Sequence, residues 1–237
     1  DTLVGFYLIN EKPTSSKDPF ALRRAAIGLL RTIIENNLVI KISDLTDYFV
    51  RTYIDQGVKE FNKEVRKDLI IFFRERMKNI LKDKNIRTDI VEASICSHLN
   101  DNFLELYKKT IIMNKFISKE VGKNAISTYK RASNILEQEK TISKNGPDAV
   151  LFRYEEEKEL FERINAIRKA FTVKEEKKNY EDHLRLLSEV KLPTDKFFDN
   201  VKVNDDNKDL KNNRLELLQI LCSTFNTFID FSKLEGT

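Results

Sequence analysis

The sequence contains no tryptophan, two cysteines, two histidines, four prolines and six glycines among its 237 residues. Cys96 and Cys222 stand alone, without a CxxC pair or a Cys/His cluster, which argues against a zinc site. Two isolated thiols inside apolar helical patterns are typical of a reducing compartment, where each behaves as a small hydrophobic residue. There is no signal peptide, and no apolar run approaches the ~18 to 20 residues of a membrane span. We therefore expect a cytoplasmic protein without membrane contact.

The shortage of glycine and proline, together with a high charge content, predicts an all-α fold. Charged residues make up 34% and hydrophobic residues 41% of the sequence, which favours helices with one solvated face and excludes a disordered chain. The net charge of +4 is the difference between 42 basic and 38 acidic residues. This near-balance excludes a polybasic tail but leaves room for a local basic face, which nucleic-acid binding requires.

Three interruptions divide the helical pattern. The first covers residues 11–18, after which Asp18 is expected to cap a helix whose first residue is Pro19. The second is Gly57. The third, Asn145-Gly146-Pro147, is a strong helix breaker, and we place the main domain boundary there.

Among the helices expected after this boundary, which include one from Tyr180 to Leu187, two have acidic residues at their start. One runs from Val150 to Phe171 and carries three glutamates near its start, where the helix dipole favours negative charge. The other runs from Asp209 to Phe231, with Asp206 positioned to cap it.

Earlier in the sequence, helical spacing from residue 58 to 81 predicts a helix with one charged face. This face is either an ordinary solvated surface or a stripe that faces phosphates. That face carries Lys63, Arg66, Lys67, Arg74, Lys78 and Lys82.

Catalytic chemistry has few candidates in this sequence. His98 and His183 are far apart and each is followed by leucine, so the His-Asp dyad of a metal-dependent phosphohydrolase is missing. There is no glycine-rich phosphate loop and no GxSxG nucleophile elbow. We therefore expect a binding module that holds no metal and contributes no catalytic residue.

Residues 12–28 read KPTSSKDPFALRRAAIG, and this stretch closely resembles a signature of the glycyl-tRNA synthetase β-subunit family. Ser15 stands where the family has glycine. Residues 129–136, YKRASNIL, resemble the KRxxNIL element that leads into the family's anticodon-binding module. Residues 197–218 resemble its closing FFDxVxVxxxD…NRLxLL pattern, in which Lys202 and Asn204 stand in place of apolar residues. The resemblance continues to residues 230–234.

The resemblance implies a part of an aminoacyl-tRNA synthetase, a ligase that uses ATP to attach glycine to its tRNA. In that family the α subunit carries the catalysis with ATP and Mg, so no cofactor is expected in this part. The α and β subunits are expected to form an α2β2 assembly. Because residues 1–7 read like the interior of a helix, we expect the sequence to be a C-terminal piece of a longer chain.

The implied architecture has three helical regions. Residues 1–60 would be the C-terminal end of an HD-like helical domain, and residues 61–147 a helical linker. Residues 148–237 would form a DALR-type helical anticodon-binding bundle.

Seven residues are predicted to contact tRNA, because RNA loops are read through bases that stack on aromatic rings or arginine planes, while lysine and arginine hold phosphates. They are Lys130, Arg131, Asn134, Phe198, Lys202, Asn213 and Arg214. Structural alternatives stay open. Arg131 and Asn134 either contact RNA or tie their helix to the last bundle. Asn213 and Arg214 either contact RNA or hold the acidic loop ahead of the last helix.

Two other groups of residues have more than one interpretation. Phe197 and Phe198 are adjacent, so one is expected in the core and the other is free to serve as a stacking platform. Lys17, Arg23 and Arg24 lie within the signature stretch and are predicted to bind either the tRNA backbone or the α subunit. Their structural alternative is an ion pair between Asp18 and one of the two arginines.

Three functions from other classes compete with tRNA binding. An HD-type phosphohydrolase would need the metal ligands that this sequence lacks. A helical scaffold for subunit assembly would bind the α subunit without recognising bases. The anticodon module of an arginyl-type synthetase shares the KRxxNIL element, but the signature at residues 12–28 argues against it.

Overall fold

The computed structural model describes residues 1–14, 17–59, 62–96, 101–139, 146–174 and 179–236. Within these ranges the chain is helical and contains no strand, so the all-α prediction is confirmed. Contacts between residues divide the chain into two compact units, residues 1–111 and residues 112–237. None of the helices described is both long enough and apolar enough to cross a membrane. The predictions about Ser15, His98 and Asn145 lie outside the described residues.

The first unit is built around one long central helix. Its helices are α1 (Thr2–Leu8), α2 (Leu22–Glu35), α3 (Ile42–Asp55), α4 (Val65–Lys82), α5 (Thr88–Cys96) and the first part of α6 (Phe103–Ile117). Apolar residues at three-to-four spacing bury one side of α4, against which α1, α2, α3 and α5 pack. The central core side chains are Leu30, Ile33, Leu69, Phe73, Met77 and Leu81.

The start of α2 differs from the prediction by three residues. The Asp18 carboxylate does cap the helix, since its two oxygens accept hydrogen bonds from the backbone N–H groups of Leu22 (2.8 Å) and Arg23 (3.1 Å). The helix begins at Leu22 and not at Pro19, because Ala21 has a left-handed backbone with φ of 54°. Pro19 therefore belongs to the turn before the helix. The break at Gly57 is confirmed, with φ of 98° just after α3 ends.

The basic face of α4 is largely paired with carboxylates. Arg66 lies 3.5 Å from Asp47, and Lys78 lies 3.3 Å from both Glu75 and Glu92. Surface ion pairs of this kind neutralise the face and add little stability. The interpretation as an ordinary solvated face therefore fits α4 better than a phosphate-facing stripe.

The second unit is a bundle in which the last helix is central. It contains α7 (Glu120–Glu137), α8 (Glu155–Lys174), α9 (Tyr180–Ser188), α10 (Lys191–Asn200) and α11 (Lys208–Asn226), with 3₁₀ turns at Ala149–Leu151 and Phe231–Lys233. Helix α11 packs against α7 and α8. Tyr129 of α7 meets the rings of Phe225 and Phe231, with ring centroids 5.9 and 5.6 Å away. Asn226 links the same cluster by donating to the Tyr129 hydroxyl (3.3 Å) and accepting from the Phe231 N–H (2.9 Å).

Three helix boundaries in the second unit need correction. Helix α8 begins at Glu155 and not at Val150, which lies in a 3₁₀ turn. Helix α11 is capped by Asn207, whose side-chain oxygen accepts from the N–H of Asp209 (2.9 Å), and not by Asp206. The same helix ends at Asn226, well before Phe231.

The second unit begins earlier in the sequence than the predicted C-terminal bundle. Helix α7 packs against α9, α10 and α11 and belongs to the same compact unit, so the predicted boundary at Gly146-Pro147 falls inside that unit. Both residues follow α7 and precede the first 3₁₀ turn. The division into three regions remains a prediction, because compactness alone does not define it.

The junction between α6 and α7 requires glycine. A Cβ atom on Gly122 would lie 2.2 Å from the carbonyl oxygen of Phe116 and 2.8 Å from the Cα of Ile117. Both are backbone atoms, which cannot move aside without shifting the end of α6. The absence of a side chain at Gly122 therefore sets how closely α7 approaches α6.

We expect Gly122→Ala to lower the free energy of unfolding by roughly 1 to 3 kcal/mol or more, because the added methyl overlaps backbone. Thermal or urea denaturation monitored by circular dichroism measures this change. Gly28→Ala is the matched control, since a Cβ there meets open space on α2 and is expected to raise stability by up to about 1 kcal/mol. Equal stability of the two variants would contradict the packing at the junction.

Candidate nucleic-acid interface

Helix α7 buries one face and exposes the other. Ala125, Ile126, Tyr129 and Ala132 are buried, with exposures of 4% or less. The opposite face exposes Lys123, Ser127, Arg131 and Asn134, spaced four, four and three residues apart. The KRxxNIL element therefore serves two purposes at once: its apolar residues anchor the helix, and its polar residues form an accessible surface.

Arg131 and Phe198 form a cation–π contact between α7 and α10. The guanidinium carbon of Arg131 lies 4.3 Å from the centre of the Phe198 ring. The neighbouring Phe197 is fully buried at 0% exposure, whereas Phe198 is half-buried. The prediction that one of the two rings lies in the core is therefore confirmed for Phe197, whereas the role of Phe198 as a stacking surface stays a prediction. We call the pair of Arg131 and Phe198 the stacking platform.

Asp199 completes the polar edge of the stacking platform. Its Oδ1 lies 4.0 Å from Nη2 of Arg131, and the two side chains are 70% and 49% exposed. The carboxylate is close enough to orient the guanidinium but too open to water to neutralise it fully. A planar cation, a ring behind it and an acceptor at its edge therefore lie together on one accessible surface.

The other candidates, Lys130, Asn134 and Lys202, differ in their exposure. Asn134 is exposed one turn beyond Arg131 on α7. Lys130 is half-buried, and its Nζ lies 3.2 Å from the position that a Cβ on Gly236 would occupy. Lys202 is 71% exposed on the loop after α10, where its ammonium lies 3.7 Å from Asp206. Each stays a predicted RNA contact.

Arg214 is buried and holds the acidic loop in place. Its side chain is 1% exposed, and its Nε donates to Glu157 (2.8 Å) while its Nη1 donates to Asp205 (2.7 Å) and to the carbonyl oxygen of Lys202 (2.9 Å). A guanidinium enclosed in this way offers no surface to RNA. This geometry fits the structural alternative for Arg214, in which the side chain holds the acidic loop ahead of the last helix.

Asn213 is also buried, and its side-chain amide forms two hydrogen bonds with the backbone of Asp148. Its amide accepts from the N–H of Asp148 (2.6 Å) and donates to the carbonyl oxygen of the same residue (3.0 Å). It is 4% exposed. Asn213 therefore fixes the segment that enters the first 3₁₀ turn, and we leave it with Arg214 outside the interface.

The electrostatics of this buried cluster follow from its hydrogen bonds. The pKa of the Asp205 carboxyl is lowered, first by the N–H of Asn207 and then by Arg214. Burial acts to lower the pKa of Arg214, but the hydrogen bonds and charges of Glu157 and Asp205 outweigh it and the pKa is raised. Arg214 and Asp205 thus each favour the charged form of the other.

The three signature residues in the first unit are accessible to different degrees. Lys17 and Arg24 are exposed, whereas Arg23 is half-buried and donates a hydrogen bond to the carbonyl oxygen of Thr14. The Asp18 carboxylate accepts backbone N–H groups, as described for the start of α2. Lys17, Arg23 and Arg24 stay predicted contacts for the tRNA backbone or the α subunit.

Sequence reasoning did not select Asp199 or Lys123 for the candidate interface. Lys123 precedes Ser127 by four residues and Arg131 by eight, so it lies on the same helix face. Extending the helical spacing from Arg131 toward the start of α7 would therefore have identified Lys123. Asp199 had no such signal, because only the contact between α7 and α10 brings it to Arg131.

Among the described residues, no group of three His, Cys, Asp or Glu side chains is placed to hold a metal ion.

Comparison with known proteins gives two family matches. Residues 1–96 match the family described as glycyl-tRNA synthetase beta subunit, and residues 125–233 match the DALR anticodon binding domain. The chain is 38% identical over 235 residues to the glycine–tRNA ligase beta subunit of Rickettsia africae and 37% identical over 241 residues to that of Rhodospirillum centenum. These alignments cover 99% and 100% of the chain but 33% of each relative, so the chain spans about a third of their length.

We expect Arg214→Met to lower the free energy of unfolding by about 3 to 5 kcal/mol, because Glu157 would remain buried without its cation. Chemical denaturation measures the loss. Arg163→Met is the matched control, since Arg163 pairs with Glu189 at 3.3 Å with both side chains partly exposed, and a pair of that kind contributes ~0 to 1 kcal/mol. Similar losses in the two variants would show that burial of the Arg214 pair has no special importance.

Proposed function

The chain belongs to the glycyl-tRNA synthetase β-subunit family, and from this premise we propose that its second unit binds tRNA and recognises the anticodon. The observation that carries the proposal is the stacking platform, which lies within the residues that match an anticodon-binding domain. Single-stranded RNA loops expose bases that stack on aromatic rings and guanidinium planes. Arg131, which is exposed and lies over the Phe198 ring, offers such a guanidinium.

Asp199 gives the stacking platform a way to discriminate between bases. A base resting on the guanidinium of Arg131 would bring its edge toward the exposed carboxylate, which accepts hydrogen bonds and cannot donate them when ionised. Exocyclic amino groups of bases are donors, so the carboxylate favours bases that carry one. Arg131 has further N–H groups for base acceptors or phosphate oxygens.

We place this activity within a glycine–tRNA ligase, an aminoacyl-tRNA synthetase, in which the chain supports the ATP-dependent attachment of glycine to its tRNA. Catalysis, with ATP and Mg, would take place on the α subunit, and the residues described here would contribute binding. The relatives that support this role are named as beta subunits of glycine–tRNA ligase. A cytoplasmic location follows from the same role.

The first unit supplies the surface that we assign to the α subunit in an α2β2 assembly. Several of its large apolar side chains are exposed, among them Ile9 (58%), Val39 (75%), Tyr48 (65%) and Ile71 (50%). Exposed apolar side chains mark a surface that meets another protein when they form one contiguous patch, and we propose that these do. If these contacts were the whole function, the chain would be a scaffold for assembly without direct base recognition.

We expect Arg131→Ala and Phe198→Ala each to weaken binding to glycine tRNA by ~1 to 3 kcal/mol, which is the usual loss for a base-stacking or base-reading side chain. Filter binding or fluorescence anisotropy with the full-length protein measures the affinity. Both variants are also expected to bind more nearly equally to glycine tRNA and to a tRNA with altered anticodon bases.

Arg163→Ala is the matched control for this experiment, because Arg163 is 45% exposed against 49% for Arg131 and also pairs with a carboxylate. It should bind like the unchanged protein. Equal affinity of the unchanged protein for both tRNAs would contradict anticodon recognition and favour the scaffold.

A further inference from the structure

A groove with a basic rim lies at the junction of α6, α7 and α9, and none of its lining residues belongs to the stacking platform. It has a volume of about 250 Å³. Phe116 and the buried Leu184 contribute to its apolar lining, while Lys115, Lys119 and Arg185 supply positive charge. One carboxylate, Glu181, also lines the groove. The groove therefore combines an apolar lining with an excess of positively charged side chains.

The lysines of this groove lack carboxylate partners. Among the described residues, no carboxylate oxygen lies within 4.0 Å of the ammonium of Lys115, Lys119 or the nearby Lys123. Arg185 differs, because Asp182 and Glu189 neutralise it at 3.6 and 2.9 Å. The positive charge available to a ligand is thus that of the three lysines.

Some other exposed lysines of the same unit form ion pairs with carboxylates, unlike Lys115, Lys119 and Lys123. Lys158 lies 3.2 Å from Glu155, Lys196 lies 3.0 Å from Glu159, and Lys191 pairs with Asp195 one turn away. These side chains are 41% to 51% exposed, so exposure alone does not keep a lysine of this unit unpaired. The absence of carboxylates around Lys115, Lys119 and Lys123 leaves a local excess of positive potential.

Lys123 connects the groove lysines to the stacking platform, because it shares a helix face with Arg131. Lys123 lies on the exposed face of α7 that also carries Ser127 and Arg131. With a rise of about 1.5 Å per residue, Lys123 and Arg131 are roughly 12 Å apart along the helix. A single ligand can therefore contact the platform at one end and the groove at the other.

We propose that Lys115, Lys119 and Lys123 form a track that binds the phosphates of the tRNA stem next to the anticodon loop, in a way that does not depend on sequence. The proposal rests on the proposed function, since the platform defines which nucleic acid reaches the track. Flexible lysine side chains carry a compact charge that follows a phosphate backbone without reading bases. The same groove offers no aromatic plane beyond Phe116 for an unstacked base.

Glutamine at all three lysines, K115Q/K119Q/K123Q, tests the track in the full-length protein. Binding to glycine tRNA is measured between 50 and 200 mM salt. Each phosphate contact contributes about 0.7 to 0.9 to the slope of log affinity against log salt concentration, so the slope should become shallower by about 2 to 3. The preference for the glycine anticodon over an altered one should stay the same, because the lysines read no bases.

Two further variants sharpen the result. Glu181→Gln removes the one carboxylate of the groove and is expected to strengthen binding at low salt, a gain that misfolding cannot produce. K158Q/K191Q/K196Q is the matched control, since it removes the same total charge from lysines that already have carboxylate partners. It should change the salt slope much less than the track variant does.

The outcomes separate the two proposals. If the unchanged protein binds tRNA with anticodon preference but the track variant has the same salt slope, the track is wrong and the platform stands. Equal slope changes in the track and control variants would also overturn the track, since total charge would then explain them. Loss of α-subunit binding with unchanged RNA affinity would assign the groove to a protein contact instead. Absence of any tRNA binding by the unchanged protein would overturn both proposals.

Discussion

The buried ion pair between Glu157 and Arg214 holds together the parts of the second unit that surround the interface. One oxygen of Glu157 accepts the backbone N–H groups of Arg153 (2.6 Å) and Tyr154 (2.9 Å) at the start of α8, and the other accepts from Arg214 on α11. Arg214 in turn fixes the loop after α10 through Asp205. A buried pair of this kind adds little net stability over an apolar replacement, but breaking it is costly and leaves a charge without a partner. Its effect is to join three segments in a single arrangement.

The position of the stacking platform depends on that arrangement. Phe198 lies in the last turn of α10, and the loop that follows α10 is held by Arg214 through the Lys202 carbonyl. Arg131 reaches the ring from α7, which is anchored separately by Tyr129 against Phe225. The pair of Arg131 and Phe198 is therefore supported by two sets of contacts, one centred on the buried Arg214 and the other on the buried Tyr129. A surface supported in this way loses less entropy when a base stacks on it than a flexible side chain would.

Helical periodicity predicted most of the fold from the sequence, and it failed where one side chain controlled a boundary. The start of α8 moved to Glu155 because Glu157 caps it from within, and the start of α2 moved because Ala21 adopts a positive φ. For the site, the KRxxNIL element pointed to Arg131, and the adjacent phenylalanines pointed to a division between core and surface. Arg214 could not be assigned, because an arginine near the start of a helix usually reads as exposed and only tertiary contacts bury it.

The near-balance of total charge hides how the charges are distributed. In the second unit, paired lysines such as Lys196 contribute little field beyond their own carboxylates, whereas unpaired ones such as Lys119 project theirs into solvent. Phosphate attraction is strongly weakened by salt, while the proposed stacking on Arg131 and hydrogen bonding at Asp199 would be contacts of short range. Affinity and base discrimination would therefore depend on different residues of the same helix surface. Such a separation lets a tRNA be captured by its backbone first and its bases be compared afterwards, because the steering field acts over a longer distance than the stacking platform does.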